Sequence, residues 1–111
     1  MQKSELFSVL KDIKQKSLEI GNQLNSNEVD PKSVNQIYDY RQKSLDKLDS
    51  MLKDENVKEL IANNLEDWNG EMMEIQNLEK DNIKMLTDIT NQMNRELKNQ
   101  MKQKSLLIYS K

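Results

Sequence analysis

Glu71 and Glu74 stand three residues apart, a spacing that sets two carboxylates on one face of a helix, and they are the closest approach in this sequence to a catalytic or metal-binding pair. Carboxylate metal sites in helical bundles combine such groups with Glu-x-x-His, and the 111-residue chain contains neither His nor Cys. The usual general base, the commonest metal ligand and every thiolate are therefore missing. The serines have no imidazole to activate them, and the two glycines, Gly21 and Gly70, are too far apart to form a phosphate-cradling loop. The chemistry available is that of a non-enzyme with no cofactor and no metal. Glu71 and Glu74 then read as part of a solvated acidic face.

Charge narrows the partners. The formal net charge of −2 hides a polarised layout: residues 54–81 carry nine acids against Lys58 and Lys80, while residues 95–111 carry Arg95 and four lysines against Glu96 alone. Acid towards a helix start and base towards its end is what the helix macrodipole favours. One short cationic tail on an acidic chain is not the basic stripe that nucleic acid requires, so no nucleic-acid partner is expected. No membrane partner is expected either: no apolar run approaches a membrane span, and residues 83–108 have no aromatic on their apolar face before Tyr109. The opening Met1-Gln2-Lys3-Ser4-Glu5 lacks the apolar core of a signal peptide, which predicts a cytoplasmic protein.

The elements that must carry these residues are helices. With 35% hydrophobic and 32% charged residues, two Gly and one Pro, the composition suits an elongated all-α antiparallel bundle, read as a single domain over residues 1–111. Leu6, Leu10, Ile13, Ser17, Ile20 and Leu24 follow a 4-3-4-3-4 spacing that predicts a helix over 4–24 with a heptad seam. Phe7 and Leu18 broaden that seam enough to meet two neighbours, and Gly21-Asn22 marks a point of fraying. Asp30-Pro31 is an N-cap followed by a proline suited to the first helical position, opening a second helix over 31–53. Its apolar face comprises Val34, Ile37, Tyr38, Leu45, Leu48, Met51 and Leu52, with Arg41 in the middle. A third helix follows almost at once from Asp54, so short a link that the two form an antiparallel hairpin.

This third helix, over 55–109, is the longest. Val57, Ile61, Leu65, Trp68, Met72 and Ile75, then Leu86, Ile89, Met93, Leu97, Met101 and Ile108, recur at helical spacing. Glu79 and Asn82 interrupt the stripe, and with Gly70 and a potential N-cap at Asp81 they make 69–82 its weak point. Because Trp68, Met72 and Ile75 keep their spacing across Gly70, one continuous or gently bent helix is favoured over a break near Lys80 that would give four helices. At 1.5 Å per residue, 55 helical residues span about 80 Å and each earlier helix only about 33 Å. The stripe from Leu86 to Met101 therefore outruns its neighbours. It needs cover from a second copy in a homodimer, from a partner helix, or from its own chain folded back. Leu86, Ile89, Met93, Leu97, Met101 and Tyr109 are the candidate partner-binding residues; Met is over-used on surfaces that accept mobile partner helices, and a terminal Tyr is a natural anchor.

Two families are resembled. Trp68-Asn69-Gly70 is similar to the Trp-x-Gly turn of the small helical-hairpin substrates of type VII secretion, which implies a structural or secreted hairpin. Tyr40-Arg41-Gln42-Lys43 with Leu45 and Leu48, then Leu78-Glu79-Lys80-Asp81-Asn82, and the ending Lys102-Gln103-Lys104-Ser105-Leu106-Leu107-Ile108-Tyr109, resemble the FliT family of flagellar type III export chaperones. That resemblance implies a small cytoplasmic helical chaperone whose client is a helical segment of the filament-cap protein. It also implies delivery to the flagellar export gate and ATPase complex, with Tyr109 as the docking residue.

Overall fold

Ser17, a small hydroxyl placed in the middle of a heptad seam, is fully buried, and the helices are arranged around the layer it occupies. The computed structural model describes residues 3–109, with side chains described as far as Gln103. Four helices follow one another: α1, Lys3–Leu24; α2, Pro31–Leu52; α3, Glu55–Asn63; and α4, Leu65–Tyr109. The described residues contain no strand. The fold is an all-α bundle with a long C-terminal helix.

The boundaries have local causes. Asp30 caps α2 by accepting from the Lys32 backbone N–H at 3.1 Å and from the Ser33 hydroxyl at 2.8 Å, and Pro31 supplies a first position that needs no N–H donor. Asp54 caps α3 in the same way through the Asn56 N–H at 2.9 Å. Between α3 and α4 lies Asn64, with φ −130° and ψ 37°, whose side-chain amide donates to the Leu60 carbonyl at 2.9 Å. The Trp68 N–H then donates to the Asn64 carbonyl, so a new helix starts immediately.

The break thus falls at Asn64 and not within 69–82, and it makes four helices from the three of the spacing. Gly70 sits inside α4 on its exposed side, where an added Cβ would meet nothing within 4 Å, so it imposes no bend. Gly21 likewise does not fray α1, which runs on to Leu24. A short α3 is useful where it is: it brings Val57, fully buried, under the lower end of the core.

Polar contacts fix the direction of each helix. Lys3 bonds Asp67 at 3.0 Å, Ser17 accepts from Asn82, and Gly21 faces Asn82 and Met85, so residue numbers rise together and α1 and α4 run parallel at an offset of about 64. Ser17 meets Arg41 while Val9 and Asp12 lie beside Lys47 and Met51, so α2 runs the other way. The bundle is up, down, up.

Two apolar clusters fill it. The lower one joins Leu6, Val9, Leu10, Ile13, Leu48, Met51, Val57 and Ile75, with Trp68 and Met72 packed on its edge. The upper one has only Ile20, Leu24 and Val34 buried, with Ile37, Tyr38, Met85, Leu86 and Ile89 around them. By the offset, Leu24 lies level with Asp88 and Ile89. From Thr90 to Gln103 every residue of α4 is exposed, and the last 20 residues of the helix span about 30 Å. The 45 residues of α4 account for most of the molecule's 74 Å length; the other two dimensions are 23 and 22 Å.

Candidate partner-binding surface

Five candidate residues come from the helical spacing and Tyr109 from its place near the end of the chain, and the fold divides them. Leu86 and Ile89 are half-buried against the upper cluster, in contact with the end of α1 and the start of α2. They are bundle residues and not an open groove, because the 64-residue offset carries α1 one turn further along α4 than helix lengths alone suggest. Met93, Leu97 and Met101 lie beyond that limit and are 64%, 56% and 61% exposed. Successive steps of four residues advance only about 40° around a helix, so the three form one stripe, a continuation of the line that Leu86 and Ile89 begin. Tyr109 closes α4, but its side chain lies outside the described residues.

The stripe's edges differ. Taking about 100° per residue from Leu97, Lys98, Lys102 and Arg95 fall within about 60° of one another on one side, and Glu96, Gln100 and Gln103 on the other. All six are exposed. The extension is therefore an apolar line with polar amides on both edges, Asn91 and Asn94 lying on the side of Lys98, Lys102 and Arg95, so that the two edges differ in their cations.

Below it, the interruption at Glu79 and Asn82 has a structural purpose that spacing did not reveal. Ser17 donates to the Ile13 carbonyl at 2.9 Å and accepts from Arg41 Nε at 3.2 Å; Arg41 Nη2 pairs with Glu79 Oε2; Asn82 Nδ2 donates to the Ser17 carbonyl at 2.9 Å. Three helices thus meet in one polar layer between the two apolar clusters. Burial lowers the Arg41 guanidinium from its ordinary value, partly opposed by Tyr38, and a guanidinium still stays charged at physiological pH. No buried side-chain polar atom among the described residues lacks a partner. The signal was in the sequence: Ser17 in a heptad seam, Arg41 in an apolar face, and Glu79 and Asn82 in an apolar stripe are four polar residues at core positions. Read together, the four are a layer; read on α4 alone, Glu79 and Asn82 are an interruption of its stripe.

The acidic face is also committed. Lys14 lies between Glu71, at 3.4 Å, and Glu74, and its ammonium is held above the ordinary lysine value by the hydrogen bond to Glu74 first and by Glu71 further. Among the described residues no group of three acids, His or Cys is placed to hold a metal ion. No described helix is long and apolar enough to cross a membrane. Trp68, Asn69 and Gly70 lie inside α4, so the turn that the Trp-x-Gly resemblance implies is not formed there. Compared with protein-family profiles, curated proteins and solved structures, the chain matches none.

Proposed function

We propose that this protein is a non-enzymatic chaperone that holds an amphipathic client helix along the α4 extension. The observation that carries this reading is the line of Met93, Leu97 and Met101, which continues the core-facing stripe of α4 past the end of the bundle into solvent. Two helices pack through ridges of residues four apart, which Met93, Leu97 and Met101 supply, and α4 is held rigid at its base by α1 and the polar layer. Through the FliT resemblance, the client is a helical segment of the filament-cap protein, held in the cytoplasm and delivered to the flagellar export gate and ATPase complex, with Tyr109 as the contact for delivery. The straight course of α4 through Trp68–Gly70 favours this over a secreted Trp-x-Gly hairpin.

The test is binding of the filament-cap protein encoded in the same genome to the full chain, followed by calorimetry. Met93→Gln, Leu97→Gln and Met101→Gln together should abolish the heat of binding and leave helical circular dichroism unchanged. Tyr109→Ala should keep client binding and reduce delivery. Undiminished binding by the triple variant would remove the stripe from the site, and no binding by the wild-type chain would remove the client.

A further inference from the structure

We propose that the helix docked on the α4 extension carries a row of acidic side chains along one edge of its apolar face, aligned with Lys98 and Lys102. This deepens the helix-binding reading and rests on it. The cations of the extension have a bland explanation in the macrodipole, but that effect fades within the last turn of a helix. Lys102 is 7 residues from the end of α4 at Tyr109, Lys98 is 11 and Arg95 is 14, which is two to four turns inside. The dipole does not account for them.

Their placement is also one-sided, and that decides between occupants. A helix laid along Met93, Leu97 and Met101 brings one of its edges against Lys98 and Lys102 and the other against Gln100, Gln103 and Glu96. A second copy pairing antiparallel about a two-fold axis puts like edges together, lysine against lysine. A parallel second copy would set the cationic edge against a mostly amide one, and would also bring two bundles side by side. The antiparallel arrangement brings no acid to the cationic edge, and the parallel one brings Glu96 alone, with no row of acids. An acidic amphipathic helix meets the edge with opposite charge, which raises its encounter rate and selects its orientation.

The experiment uses the full chain and three fluorescent helical peptides that share one apolar face and differ along one edge: Glu, Gln or Lys. Anisotropy titrations at low salt should rank them Glu, Gln, Lys, with about tenfold between the first two, and the gap should close at high salt as charges are screened. Lys98→Glu with Lys102→Glu should reverse the ranking; both residues are exposed, and unchanged circular dichroism verifies the fold. Equal binding of all three peptides, or a ranking that survives the charge reversal, overturns the acidic edge and leaves the helix-binding reading in place. No binding by any peptide overturns both. Sedimentation showing a dimer that Leu97→Glu dissociates would assign the face to a second copy and overturn the proposal on separate grounds.

Discussion

At Gly21 the missing side chain is what allows α4 to approach α1. A Cβ there would lie 2.9 Å from Asn82 Oδ1, and Asn82 cannot move aside cheaply because it is buried and its amide holds the Ser17 carbonyl. Gly70 is the opposite case: it is helical, exposed and unopposed, so it contributes only the backbone freedom of the unfolded chain. The same substitution should therefore act in opposite directions. Gly70→Ala should raise unfolding stability by about 0.5–1 kcal/mol, and Gly21→Ala should lower it by about 1–3 kcal/mol, the cost of overpacking plus a disturbed buried hydrogen bond. Urea denaturation of the two variants measures both; equal effects would mean that Asn82 is not held where the polar layer puts it. Arg41 and Glu79 follow related logic. A half-buried ion pair is a poor source of net stability against an apolar alternative, but it fixes register, and here register sets how much of α4 projects beyond the bundle.

Among the helices, what the sequence made legible was whatever depends on near neighbours. The heptad seam of α1 and the Asp30-Pro31 start of α2 are local, and both are formed as the spacing predicts. The break before α4 escapes the spacing, which favours one helix over 55–109, because Asn64 looks ordinary in sequence: its side-chain bond to Leu60 matters only because α3 must tuck Val57 under the core. Glu79 and Asn82, which looked like breakers, are satisfied by α1 and α2, partners that no reading of one helix at a time can supply. The candidate surface was half legible for the same reason. Helix lengths say that α4 outruns α1, but only the offset set by Lys3–Asp67 and Ser17–Asn82 says where. That boundary can be measured. Leu86→Gln with Ile89→Gln removes half-buried apolar area from the small upper cluster and should destabilise by about 2–3 kcal/mol. Met93→Gln, Leu97→Gln and Met101→Gln together should stay within about 0.5 kcal/mol of wild type, as exposed substitutions do. Thermal melts of the two sets give the comparison, and a large loss from the outer set would show that the stripe is covered.

The whole molecule is a short bundle with a long lever. Its radius of gyration is 20.5 Å, where a compact chain of this length would have about 13 Å, and the excess is due to the α4 extension. A fold-back of the C-terminal helix onto the bundle would erase most of that difference. Small-angle scattering of the dilute protein should therefore give a value near 20 Å, and deletion of residues 91–111 should bring it down towards the compact value. The deletion leaves both apolar clusters and the polar layer intact, since their outermost α4 member is Ile89. Its melting temperature should accordingly match that of the full chain, while binding of a client helix is lost. If the shortened protein melted early, the extension would be packed on its own bundle in solution. If it kept both its stability and its client, the binding surface would lie on the bundle, and the half-exposed groove residues between α1 and α4, Phe7, Leu18 and Leu78, would be the place to look for it.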